Sequence, residues 1–149
     1  MWLMVRSIRT LLLSFGLASA LSVSLLAATP ASAATTLELA FVTKINAERK
    51  LRGLNALPAR SYLTTKAHQH SAAMARRGRL YHSNLSNICC YRMVAENVGV
   101  GGSVLSVHRA LMASPGHRAN ILQRGWHGVG VGVVKRDGRL WVTQIFRQS

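Results

Sequence analysis

Gly128-Val129-Gly130-Val131-Gly132-Val133-Val134, and after it Leu140-Trp141-Val142-Thr143-Gln144-Ile145-Phe146, are the stretches whose reading decides the fold. In the first, Val129, Val131 and Val133 fall on one face of an extended chain, and Gly128, Gly130 and Gly132 on the other. A glycine face lets another backbone or side chain approach closely. Arg136-Asp137-Gly138 is a turn signal, so the two stretches read as a hairpin. The second strand is apolar on both sides: Leu140, Val142 and Phe146 on one, Trp141 and Ile145 on the other. A sheet apolar on both faces must be covered twice. This pattern supports a layered sandwich with helices on both sides of the sheet.

Upstream stands Ser114-Pro115-Gly116-His117-Arg118-Ala119-Asn120-Ile121-Leu122. Pro115 and Gly116 predict a chain break that stops the preceding helix, read over about Val104 to Ala113 with Ser103 as N-cap. His117 follows the break at once. It is a side chain able to ligate a metal or move a proton near neutral pH. From Arg79 to Gly102 no period persists, and a loop of that length is usually functional. It carries His82, Cys89, Cys90 and Glu96. Gly99, Gly101 and Gly102 lack the spacing of a phosphate-binding loop and read as a plain lead-in to the helix.

Ser61 predicts the cap of a helix running to about Gly78, with Leu63, Ala67, His70 and Met74 as its stripe. His70 reads as a hydrogen-bonded core histidine and His68 as solvated. Thr35 and Glu38 form a capping-box pattern ahead of a helix carrying Leu37, Phe41, Ile45 and Glu48, with Gly53 as its stop signal.

Arg6 and Arg9 precede an apolar run from Leu11 to about Ala28, followed by Ala31-Ser32-Ala33. This is the pattern of a secretory leader, so residues 1–33 read as a signal peptide and 34–149 as one exported domain, secreted or held at the cell envelope. An uncleaved membrane anchor is the alternative, since the apolar run is long; no later run is long enough to span a bilayer. Loss of Arg6 and Arg9 lowers the formal charge from +15 to +13. A domain this basic is expected to associate with anionic polymer or lipid of the envelope. The bases are dispersed and no basic–aromatic repeat occurs, so specific nucleic-acid binding is not expected; a monomer is. Cys89 and Cys90 are adjacent, which excludes a C-x-x-C zinc site and leaves a vicinal bridge, an intermolecular bridge and two thiols open.

Asn46-Ala47-Glu48-Arg49, Tyr81-His82-Ser83, Ala95-Glu96-Asn97-Val98-Gly99, the stretch around His117, and Trp141-Val142-Thr143-Gln144-Ile145-Phe146 occur in the order found in the CAP superfamily. This is the domain of cysteine-rich secretory, antigen 5 and pathogenesis-related proteins. The chain resembles its bacterial, SCP-like branch over about residues 37–146. The resemblance implies an α/β fold, a three-layer α/β/α sandwich with a small, mainly antiparallel central sheet flanked by helices, and a cleft lined by two histidines and acidic residues. It implies no single activity, since members include binders, toxins and signalling proteins.

Four acids exist: Glu38, Glu48, Glu96 and Asp137. Glu38 reads as a cap, Asp137 as a turn residue and Glu48 as an arginine partner, which leaves Glu96 in a site-like setting. On the resemblance, His82 and His117 match the family's cleft histidines and Glu96 its first cleft glutamate. Two imidazoles and a carboxylate are chemically adequate for zinc or another divalent metal, with water completing the shell. Asn97, His108 and Ser114 are expected to line the same ligand cleft. The family's second glutamate, on the helix before the final histidine, has no counterpart here; His108 and Arg109 are the ionisable residues of that helix. The structural alternative is a hydrogen-bonded polar cluster tying loop 79–102 to the sheet. The first functional reading is a binding or interaction module. A metal-assisted hydrolase with His82 and His117 as ligands and Glu96 as ligand or base is the second, and a basic adhesin acting through its arginine surface the third. No catalytic residue is assigned outright, because no His-Glu-x-x-His motif or nucleophile–base set is present.

Overall fold

A computed structural model describes residues 35–88 and 90–149. The leader, its cleavage point at Ala33 and Cys89 lie outside the described residues. The elements are α1 (Thr36–Lys50), α2 (Ser61–Arg77), a 3-10 turn (Leu85–Asn87), β1 (Met93–Gly101), α3 (Val104–Ala113), α4 (Pro115–Leu122), β2 (Gly128–Arg136) and β3 (Arg139–Gln148).

The sheet is antiparallel with order β1-β3-β2, so the strand apolar on both faces is the central one. One face meets α1, α3 and α4 through Phe41, Ile45, Val107, Leu111, Ile121, Val129, Val131 and Phe146. The other meets α2 through Leu63, Ala67 and Ile145, with Met74, Val98 and Trp141 further along. The result is the expected three-layer sandwich. Asp137 (φ 51°) and Gly138 (φ 71°) make the hairpin turn, where two consecutive left-handed residues match the strand twist.

At Gly130 and Gly132 the glycine face makes room for α2. A Cβ on Gly130 would lie 2.3 Å from the Leu63 backbone, and one on Gly132 2.0 Å from the His68 amide. The helix lies directly on the bare backbone of β2, and Arg60 N donates to Val129 O at 2.8 Å to start it there. Ser61 is the first helical residue and not the cap; Arg60 holds that position without a side-chain bond.

The long irregular segment contains a nine-residue strand, β1. Its sequence, Met93-Val94-Ala95-Glu96-Asn97-Val98-Gly99-Val100-Gly101, mixes polar and apolar residues on both faces, so no period reveals it. Pro115 both ends α3 and begins α4: Ser114 is the C-cap of one and the N-cap of the other, and Pro115 takes the first helical turn, where its missing N–H costs nothing. His117 therefore lies in a helix and not in a connection. The capping box of α1 forms, with Thr35 N donating to Glu38 Oε2 at 2.7 Å and Glu38 N to Thr35 Oγ1 at 3.3 Å. Glu38 reaches further: its Oε1 accepts from Val133 N at 3.2 Å and pairs with His68 Nδ1 at 3.0 Å. His68 is thus tied to a carboxylate and not merely solvated. His70 is the core histidine expected, its Nε2 bonded to Tyr81 O at 2.7 Å.

Candidate functional site

Glu96 sits on β1 with its carboxylate on the α2 side of the sheet, opposite Ile145. Its side chain is 1% exposed, whereas that of His82 above it is 60% exposed. Oε1 pairs with His82 Nδ1 at 2.9 Å and accepts from Ser83 N at 2.9 Å; Oε2 accepts from Ser83 Oγ at 2.5 Å. Both carboxylate oxygens are committed to two adjacent residues. A buried carboxylate that accepts several hydrogen bonds is well satisfied, and it fixes the ring it holds. With Nδ1 engaged, the exposed His82 presents Nε2 outward.

His117 comes from the other side of the edge strand. Asn97, the next residue on β1, points to the opposite face and is wholly buried. Its Nδ2 donates to His117 O at 3.1 Å and to Gln144 Oε1 at 3.2 Å, and its Oδ1 accepts from Asn120 Nδ2 at 2.9 Å. Trp126 Nε1 then donates to Asn120 O at 2.6 Å. At the far end of α4, Arg49, 1% exposed, donates to Ile121 O at 2.9 Å, Gln123 O at 2.8 Å and Asn55 O at 2.8 Å. The guanidinium satisfies carbonyls that the helix end leaves unpaired. Helix α4 is therefore pinned at both ends, and its histidine is placed by backbone bonds.

Partial burial lowers the pKa of His117 from its ordinary value, and the charge of a protonated His82 lowers it further. The structure joins Glu96 to His82 and ties His117, through its backbone carbonyl, to the neighbouring Asn97.

Of the other residues expected at the cleft, Asn97 lies beneath it as a bracket and offers no open surface. Ser114 joins α3 to α4. His108 is in the α1–α3 contact, with Nε2 3.7 Å from Glu48 Oε1, and burial lowers its pKa. It faces α1 because α3 turns that side away from β1. Ser83, Asn120 and Gln144 complete the site unforeseen. Gln144 carried a readable signal, an amide inside the mainly apolar run Leu140–Phe146; Ser83 and Asn120 stood inside quoted motifs without a role.

A divalent metal does not fit this donor set as arranged. Among the described residues no group of three histidine, cysteine, aspartate or glutamate side chains is placed to hold an ion. The carboxylate that would complete such a group is bonded directly to His82 at 2.9 Å, so an ion between them requires rearrangement.

The chain belongs to the cysteine-rich secretory protein (CAP) family, whose model matches residues 42–146. No curated protein matches it. Among solved structures, it is similar to an extracellular SCP-domain protein of Bacillus anthracis (21% identity, TM-score 0.68, 76% of this chain and 40% of that one). It is similar to an outer surface protein of Borrelia burgdorferi (17% identity, TM-score 0.66, 72% and 88%). A cysteine-rich secretory protein of Staphylococcus aureus is also similar (27% identity, TM-score 0.59, 76% and 39%). The chain thus spans about two fifths of the Bacillus and Staphylococcus proteins. Among the described residues no helix is long and apolar enough to cross a membrane.

Proposed function

We propose that this protein is an exported binding module of the cell envelope, with a small polar ligand held between His82 and His117. The observation that carries the reading is the Glu96 arrangement. A buried carboxylate orients one exposed imidazole and has no oxygen left for chemistry of its own. That suits recognition better than it suits a general base, which must be open to the proton it takes. A divalent ion enters this reading only if Glu96 gives up its bonds to His82 and Ser83. The test is retention of the purified protein on isolated bacterial envelope, with and without chelator. His82→Ala and His117→Ala are expected to lower retention severalfold, and chelator to leave it unchanged. Unchanged retention in both variants would remove the cleft. Loss on chelation would move the reading to a metal.

A second reading, a basic adhesin, draws on charge. All four acidic side chains are engaged, by Thr35 and His68, by Arg52, by His82 and Ser83, and by Arg136. Nearly all the arginine charge is therefore uncompensated. Salt-sensitive retention that survives His117→Ala would favour this reading.

A further inference from the structure

From the meeting of two arginines over Gly128, we infer a site for a phosphate group held by Arg60 and Arg147. The inference does not involve the histidine cleft. It rests on the electrostatic reading and gives that reading an address.

Arg60 precedes α2 and Arg147 lies near the end of β3, yet both side chains converge on one point. A Cβ on Gly128 would lie 2.7 Å from Arg60 Cγ, 3.0 Å from Arg60 Nε and 3.4 Å from Arg147 Nε. Glycine at position 128 is what leaves room for both. Two guanidiniums so close repel each other unless an anion lies between them. None of the four side-chain carboxylates serves: each is engaged elsewhere, as described above.

The donors are also underused. Arg147 Nε is buried and has no hydrogen-bond partner among the described residues. Its Nη1 reaches Ser149 Oγ at 3.4 Å, and Arg60 Nη2 reaches His127 O at 3.4 Å, both long bonds. The guanidinium of Arg147 lies 4.8 Å over the Tyr91 ring. A cation–π contact of this kind engages the charge of the guanidinium and consumes none of its N–H donors. Helix α2 begins at the same place, without a side-chain cap and without an acid in its first turn, so its positive end adds to the field. A tetrahedral oxyanion presents several oxygens to two such forks at once, which is the geometry guanidiniums bind well.

The ligand chemistry is a phosphate ester, either soluble or presented as a lipid headgroup. The test titrates the purified protein with inorganic phosphate while following the Gly128 amide and the Arg147 Nε–H by NMR. Both signals are expected to shift with saturation, and Arg60→Gln and Arg147→Gln are each expected to weaken binding at least tenfold. Arg109→Gln removes the same charge from the exposed face of α3 and is expected to leave the affinity within twofold. Glycerol 3-phosphate and phosphatidylglycerol vesicles then distinguish the soluble ester from the headgroup. Equal weakening in all three variants, or no saturable shift in the parent, overturns the site. The broader electrostatic reading would still stand if salt-sensitive envelope retention persists. Should Arg147→Gln fail to fold, the exposed Arg60→Gln decides alone.

Discussion

The side-chain amide of Asn97 holds the backbone carbonyl of His117 at 3.1 Å, joining the edge strand to the helix that carries the histidine. Glu96, its neighbour in sequence, points to the opposite face and holds His82. Two consecutive residues of one strand thus position the two histidines from opposite sides of the sheet, because successive side chains alternate across it.

Asn97→Ala removes one end of three hydrogen bonds, one buried and two partly buried, and strands Gln144 and the His117 carbonyl. A loss of about 2–3 kcal/mol is expected, from roughly 1–3 kcal/mol for each buried polar group left unpaired and partial relaxation around it. Urea unfolding measures it. A loss below about 0.5 kcal/mol, the low end for a single hydrogen bond, would mean that α4 is held without this bracket.

Gly132→Ala and Gly130→Ala push a methyl group into the backbone of α2, which cannot rotate away as a side chain can. Each is expected to cost about 3 kcal/mol or more, at the upper end of overpacking effects. Gly102→Ala meets nothing within 4 Å and serves as the control, with an expected change near zero. Thermal melts of the three variants compare them directly.

Arg49→Lys keeps the charge but replaces a fork that reaches three carbonyls with a single ammonium. A loss of about 2 kcal/mol is expected, since hydrogen bonds to charged groups contribute roughly 1.5–3 kcal/mol and lysine recovers part of them. Hydrogen exchange should speed up first in the last turn of α4. Uniform acceleration across the domain would show that Arg49 acts on global stability alone.

His108 gives the domain a pH dependence. Burial lowers its pKa from 6.5, with Glu48 opposing and Lys44 adding to the shift. A histidine depressed in the folded state protonates first in the unfolded chain. Its contribution to stability is therefore complete above about pH 6.5 and is lost as pH falls from there through the folded value. Stability measured at about pH 7.5 should exceed that at about pH 5.5, and His108→Leu should flatten that part of the profile. An unchanged profile in the variant would place the dependence elsewhere.

Local chemistry was enough for several elements. The β2–β3 hairpin followed from strict alternation around Asp137-Gly138, α2 from its apolar stripe, and α3 from Ser103 to Ala113, because each has a signal inside its own span. That β3 is apolar on both faces called for cover on both sides, and the family resemblance supplied the three-layer form. The family motifs picked out His82, Glu96 and His117 one by one.

The tertiary structure alone decided how each of those residues is held. Strand β1 has no period of its own and exists because it pairs with β3. Pro115 reads equally as a stop and a start, and only the packing of α4 on β1 selects the second. The glycine face of β2 announced a close approach without naming α2 as the partner. Whether Glu96 faces a metal, a ligand or a histidine depends on Ser83 and His82 arriving from a segment 13 and 14 residues away. The convergence of Arg60 and Arg147 depends on the β2–β3 register, which sets Gly128 opposite Arg147, and on the docking of Arg60 N on Val129 O. Hydrogen bonds between distant side chains depend on atomic positions, and those are set by the packed layers rather than by residue order.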